Sequence, residues 1–344
     1  MHLHLLIPGL LWPNEYYKAA LRDISLPALA TLLGRGCLHW DAPVAPEAWL
    51  AAAFKLDPAP FAALRLGGEK GGTPGTADWL CADPVQLSFT QQSLMLADAS
   101  TLDLSMDEAL AVIDSLNREF PDLGQFHAET PERWYLRLAK PATLSSHRLD
   151  KVVGRRVDRF LPEGPDGGAW RRHFNEIQVL LHNHPVNLAR EAAGRPKLNS
   201  VWFWGEGTLP AAAATPPFEA VIADDILARG FARHAGVEPG SAPRGFSLPK
   251  APRALAVVSQ LQRPALYGDL DAWCDALQGV DREWLAPALA AVKAGQLASL
   301  TLTALGDRSR LEIRLTRRDL WKFWRSASRI TALDIPDLAR EAVA

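Results

Sequence analysis

The sequence predicts an α/β protein, a large sheet core that carries a smaller α/β unit inserted into it. Segments with strand character alternate with helical segments along 344 residues, the signature of a helix-covered sheet. Between residues 79 and 144 that alternation is broken by a strand–strand–helix–strand block, which reads as the insertion. Apolar residues make up 48% and charged residues 22%, enough apolar side chain for a sizeable core in a globular chain.

The elements follow in order. Residues 3–7 are apolar and end at Pro8-Gly9, a buried strand followed by a break. Residues 23–33 carry Pro27 near a helix start and Gly34 at its end. Residues 41–61 are rich in Ala and Pro with little periodicity, and the glycine-rich run 67–75 reads as a flexible connector. That run lacks the GxxxxGK[ST] order of a phosphate-binding loop. Residues 85–89 and 94–97 read as paired strands, and Ser105 followed by Asp107 and Glu108 opens a helix that ends near Phe120. Residues 134–138 alternate as a strand. Residues 170–193 are helical with an interruption at Pro185, and 201–204 form a strand stopped by Gly205 and Gly207. The segments 219–223, 254–258, 300–305 and 311–315 read as strands, the last two as a hairpin around Gly306-Asp307. Helices are predicted over 225–235, 270–277 and 284–294. The domain division predicted is a core of 1–78 and 145–344 with an insert of 79–144.

Charge and cysteine usage exclude several classes. A net charge of -2 leaves no basic excess for a nucleic-acid partner. The densest basic cluster, Arg155-Arg156 with Arg171-Arg172, reads as a solvated face. Cys37, Cys81 and Cys274 are too few and too scattered for a disulfide framework, and with the strand-like N-terminus they point to the cytoplasm. No apolar stretch approaches the roughly 20 residues of a membrane span.

Four groups of residues stand out as candidate chemistry. Asn187, Arg190, Asn199, Trp202, Trp204 and Glu206 lie within twenty residues and read either as a capped helix–strand junction or as a ligand cleft with Arg190 as an anion clamp. His182 and His184 form an HxH whose rings diverge on a helix and converge on a strand. Asp224 and Asp225 follow a strand and could hold a metal, or Asp225 could cap the next helix. Trp321, Phe323 and Trp324 could dock on the core or mark a homo-oligomer surface.

The runs 175–178, 184–190, 199–207 and 218–230 resemble the cofactor-independent phosphoglycerate mutases of the archaeal type, within the alkaline-phosphatase superfamily. The runs 82–87, 96–100 and 132–136 resemble the bacterial RpfE-type regulatory proteins of the same group. The resemblance implies an alkaline-phosphatase-like doubly wound core sheet with an inserted α/β domain. It also implies two divalent metals such as Mn or Zn, held by carboxylates and histidines, and a serine that carries the phosphoryl group. The residues expected from it are missing. Pro8 stands where the first carboxylate should follow the first strand, and no serine occurs between Ser25 and Ser88, where Thr31, Thr73 and Thr76 are the hydroxyls. The Gly268-Asp269 pair survives without its histidine, the strand 300–305 lacks an Asp-His pair after it, and no histidine follows His234. The expectation is therefore a degenerate mutase-like protein with no metal cofactor, acting as a cytoplasmic binding or regulatory protein toward a small molecule or protein partner. The alternatives are an active phosphoryl-transfer enzyme rebuilt around Asp224, Asp225, His182 and His184, and an interaction scaffold.

Overall fold

Eleven strands are formed among the described residues of the computed structural model: β1 (His2–Pro8), β2 (Cys37–Asp41), β3 (Trp79–Phe89), β4 (Leu94–Asp98), β5 (Gly124–Thr130), β6 (Arg133–Leu138), β7 (Ser200–Gly207), β8 (Ala220–Ala223), β9 (Arg253–Val257), β10 (Ser299–Leu305) and β11 (Arg310–Thr316). The structure describes all residues except 13–16, 23, 90–93, 154, 212–214, 243, 323, 326–335 and 337–344. The chain divides into two compact units, Met1–Asp57 with Ala212–Ala344, and Pro58–Ala211.

The first unit is built on a six-stranded sheet in the order β2-β11-β10-β1-β9-β8. β1 lies between β10 and β9 and is parallel to both, and β8 is parallel to β9. β11 and β2 extend the sheet with antiparallel pairing, so the predicted hairpin of 300–315 is formed. Leu3, Leu5 and Ile7 are buried on one face of β1, and Leu6 on the other is also fully buried. A central parallel strand is covered on both faces, which is why it reads as a continuous apolar run. The helix Pro27–Arg35 starts at its proline as expected, although Asp23 lies outside the described residues. Its first turn is capped from a distance: the buried Asp281 carboxylate accepts from the backbone N–H groups of Leu29 at 2.7 Å and Ala28 at 3.3 Å. Asp281 opens a single π turn, Asp281–Leu285, between the helices Leu270–Val280 and Ala286–Lys293.

The second unit is a five-stranded antiparallel sheet. β3 pairs with β7 along one side and with β6 and β4 along the other, and β5 pairs with β6. This unit is wider than the insert of 79–144 read from the sequence. The reason is β7, which sequence order placed with the core but which hydrogen-bonds to β3 from Val85 to Trp79. The helices Phe61–Gly68 and Gly167–His182 pack with it, the first on the face carrying Trp202 and Trp204 and the second contributing Trp170 and Ile177 to the face of Val201 and Phe203. Ser105 caps the helix Met106–Glu119 in a reciprocal box with Glu108, as the sequence predicts.

β2, β5 and the helices Pro46–Ala53 and Phe61–Gly68 were not visible in the sequence pattern. Both helices are Ala-rich and β5 (GQFHAET) is mostly polar, so none of the three shows a clear apolar period. Trp321 and Trp324 are about 70% exposed, so neither is docked into the core, and Phe323 lies outside the described residues. No helix among the described residues is long and apolar enough to cross a membrane.

Candidate functional site

Two places deserve the chemistry. One is the carboxyl edge of the parallel sheet, where ligands of doubly wound proteins bind. The other is a cavity in the second unit.

At the carboxyl edge, β1 ends at the buried Pro8. The chain then turns at Gly9, whose φ of +77° and approach to Leu261 leave no room for a side chain: a Cβ would stand 2.6 Å from the Leu261 carbonyl oxygen. Leu10, Leu11 and Trp12 follow and are all buried. The Trp273 indole N–H donates to the Gly9 carbonyl at 2.7 Å, and its ring lies 5.2 Å from that of Trp12. Apolar and indole groups therefore fill the end of the central strand.

The nearby acids are used in capping. Asp269 accepts from the Ala272 N–H and Asp225 from the Ala228 N–H, each at the start of a helix. Asp224 accepts from the Ala242 N–H at 3.0 Å. His182 is exposed at the end of its helix, whereas His184 is buried. Both His184 ring nitrogens are engaged: Nε2 pairs with Ser115 Oγ at 3.0 Å and Nδ1 accepts from the Val186 N–H. Burial lowers its pKa below the usual histidine range. His182 and His184 lie in the second unit and Asp224 and Asp225 in the first. Among the described residues no three His, Cys, Asp or Glu side chains are grouped as a metal site.

Of the two readings of residues 187–206, the capped helix–strand junction is the one formed, as a structural network. Asn187 donates to the Leu181 and Leu198 carbonyls and accepts from the Leu198 N–H. Arg190 is 1% exposed and its guanidinium reaches the Pro196 carbonyl, both Glu108 oxygens at 3.0 Å and the Leu102 carbonyl. Four of its five N–H groups are engaged and the side chain is buried, so it is not open to clamp an anion. Asn199 exchanges two hydrogen bonds with the backbone of Leu87, as a strand neighbour would. Glu206 accepts from the Ser146 hydroxyl. Trp204 donates to Asp83 at 2.8 Å.

That last contact leads to the feature that sequence reasoning missed. On one face of the second sheet, β3 presents Trp79, Cys81 and Asp83, and β6 presents Tyr135 and Arg137, with Trp79 opposite Arg137 and Cys81 opposite Tyr135. β5 adds His127 opposite Tyr135. Arg65, from the helix Phe61–Gly68, forks onto Asp83 and stacks over Tyr135 at 4.6 Å and Trp204 at 5.2 Å. Arg133 forks onto Glu69, which also accepts from the Tyr135 hydroxyl at 3.0 Å. Burial pushes the Cys81 thiol pKa well up, so it stays protonated and is a poor nucleophile.

At the β5–β6 end of this face the glycine-rich segment borders a solvent-open cleft of about 660 Å³, within the size range of small-molecule sites. Trp79 pins the segment by donating to the Pro74 carbonyl at 2.9 Å. Gly72 must be glycine, since a Cβ there would stand 1.9 Å from the Leu66 carbonyl oxygen. Leu66, Trp79, His127, Glu129 and Arg137 line the cavity. Burial lowers the His127 pKa, so the ring is neutral at pH 7. Burial, then the Glu69 charge, raises that of Glu129. The signal available in the sequence was the polar alternation of β5, with Gln125 across from Arg137 and His127 across from Tyr135, which becomes visible only once β5 is recognised.

No family model matches the chain. It is 30% identical over 169 residues to the 2,3-bisphosphoglycerate-independent phosphoglycerate mutase of Methanosarcina mazei, a match covering 46% of this chain and 43% of that protein. The enzyme of the same name from Methanosarcina acetivorans is 31% identical over 163 residues, covering 46% and 40%. The matches span less than half the length of these curated relatives. Among solved structures, the PH0037 protein from Pyrococcus horikoshii aligns over 93% of this chain and 92% of its own, with a TM-score of 0.56 and 14% identity, a likeness of fold. Over a little under half its length the chain is therefore similar to the archaeal cofactor-independent phosphoglycerate mutases, on a mixed α/β fold with a parallel-rich sheet in its first unit.

Proposed function

We propose that this chain keeps the mutase scaffold without its two-metal phosphoryl-transfer centre and works as a cytoplasmic binding or regulatory protein. The observation that carries the reading is the packing at the end of β1. A two-metal centre needs several anionic or imidazole ligands converging on hard cations. Here the buried Pro8 is followed by buried Leu10, Leu11 and Trp12, with Trp273 hydrogen-bonded to the turn between them. The residues present do not fit two divalent ions, and no catalytic step is derived through them. The carboxylates Asp225 and Asp269 cap helices and Asp224 holds the Ala242 N–H of a loop, at distances of 2.7–3.0 Å.

Metal titration of the full chain with Mn and Zn, followed by mutase and phosphatase assays, tests the reading. The expected result is no tight stoichiometric binding at two sites and no metal-dependent turnover. Two tightly bound ions per chain with turnover of phosphoglycerate would overturn it.

A further inference from the structure

We propose that the cavity beneath the glycine-rich segment of the second unit binds a small zwitterion of the amino-acid class. This site is separate from the sheet edge discussed above, so the proposal stands or falls independently of the fate of the metal centre.

The argument begins with charge pairing on one sheet face. Arg65 is matched by Asp83, with both N···O distances at 2.7 Å. Arg133 is matched by Glu69, at 2.6 and 3.0 Å. Two charged groups lining the cavity are left over. Arg137 is exposed to it and has no ion-pair partner among the described residues. Glu129 has His127 3.6 Å away, an imidazole kept neutral at pH 7 by partial burial, and Arg133 acts on it only at longer range while its fork is committed to Glu69. The His127 Nε2 atom is itself buried without a hydrogen-bond partner among the described residues.

A plain anion would satisfy Arg137 and be repelled by Glu129. A plain cation would do the reverse. A ligand with a carboxylate and an ammonium group satisfies both, the carboxylate in the guanidinium fork and the ammonium on Glu129. The pairing of β5 with β6 sets the span. Gln125 is opposite Arg137, and Glu129 lies four residues further along the neighbouring strand, at the bulge between Ala128 and Thr130, with both side chains lining the cleft. That is roughly 13 Å of strand, which the two long side chains reduce to the size of a small molecule. Leu66 and the Trp79 ring supply an apolar wall for the ligand's side chain.

Isothermal titration calorimetry of the full chain at pH 7.5 tests this. The probes are aliphatic and aromatic α-amino acids and, for the best of them, the matching carboxylic acid without the amine and the matching amine without the carboxylate. At least one amino acid should bind with one site per chain, and removal of either charged group should weaken binding by tenfold or more. Arg137→Met should weaken the amino acid and its deaminated analogue alike. Glu129→Gln should weaken the amino acid while leaving the deaminated analogue unaffected or improved. The proposal is overturned by absence of binding across the panel at millimolar concentration. It is equally overturned if the deaminated acid, or inorganic phosphate, binds as tightly as the amino acid. The panel is run on the unaltered protein, so the outcome does not depend on how well either variant folds.

Discussion

Arg65 and Asp83 form a two-pronged ion pair in the interior of the second unit, with side-chain exposures of 9% and 2%. Asp83 also accepts from the Trp204 indole at 2.8 Å and the Trp134 backbone N–H at 3.3 Å, and Arg65 donates to the Trp134 carbonyl. The pair thus ties the helix Phe61–Gly68 to three strands, β3, β6 and β7.

Removing one member should cost far more than removing both. Arg65→Met leaves a buried carboxylate uncompensated and should destabilise the protein by about 3–5 kcal/mol. Arg65→Met with Asp83→Leu should cost clearly less than the sum of the single changes, because no charge is stranded. Urea unfolding of the four proteins closes the cycle. An additive double mutant would show that the two side chains do not act as a unit.

Arg190 should behave as a structural residue. Its guanidinium joins Glu108, on the helix Met106–Glu119, to the carbonyls of Leu102 and Pro196. Arg190→Ala would leave those two carbonyls without this donor and take from Glu108 its buried partner, although Ser105 and Arg195 still reach that carboxylate, at a cost of about 3 kcal/mol. Arg190→Lys should lose most of that, since an ammonium cannot reproduce the fork. Denaturant midpoints measure the loss, and an unchanged midpoint for both variants would return Arg190 to the list of ligand-binding candidates.

The sheet core was legible in the sequence because its signals are local. The apolar runs of β1, β9 and β10, the Pro27 start and the Ser105–Glu108 box each declare themselves within a few residues. The candidate site was not legible in the same way. Arg65, Glu69, Asp83, Arg133 and Tyr135 come from segments whose pairings span up to 69 residues, and a charged residue that is buried looks like one that is solvated until its partner is known. At Asn187, Arg190 and Asn199 the sequence leaves a capped junction and a ligand cleft both open, and the junction is the one formed. Their polar density suggested a ligand, but each spends its hydrogen bonds on backbone groups at the edges of helices and strands. Asp225 was resolved correctly as a helix cap.

Acid should weaken the first unit through His4. Its ring accepts or donates a hydrogen bond with Thr303 Oγ1 at 2.8 Å and is packed edge-on to Trp49. Burial depresses its pKa to about 4 from 6.5. The folded state therefore holds a neutral ring where the unfolded chain takes up a proton. Stability from this group is complete above pH 6.5 and is lost as pH falls from 6.5 toward 4, by about 3 kcal/mol in full. Urea midpoints for the wild type and His4→Gln across this range check the sign. The variant should show a shallower acid slope, with the remainder carried partly by His127, His184 and His234, whose pKa values are lowered in the same direction. Identical slopes would remove His4 from the account.

Restoring a carboxylate at the end of β1 separates a lost metal centre from a hidden one. Pro8 is buried and pairs in register with Leu305 of β10, beside the packed Leu10 and Leu11. Pro8→Asp places a carboxylate at a buried position followed by the buried Leu10, Leu11 and Trp12. A buried carboxylate without a counter-charge costs several kcal/mol or is forced to stay protonated. If the metal ligands are gone, the variant should unfold at lower urea than the wild type, and the deficit should shrink as pH is lowered toward the carboxyl pKa. Saturating Mn or Zn should leave the midpoint unchanged. If a metal-binding set survives around that strand end, the new carboxylate completes it, and millimolar metal should raise the midpoint of the variant well above its metal-free value through linkage. That second outcome would mean the apolar packing at Trp12 and Trp273 opens to admit an ion, and the reading of this chain as a scaffold without its phosphoryl-transfer centre would have to be abandoned.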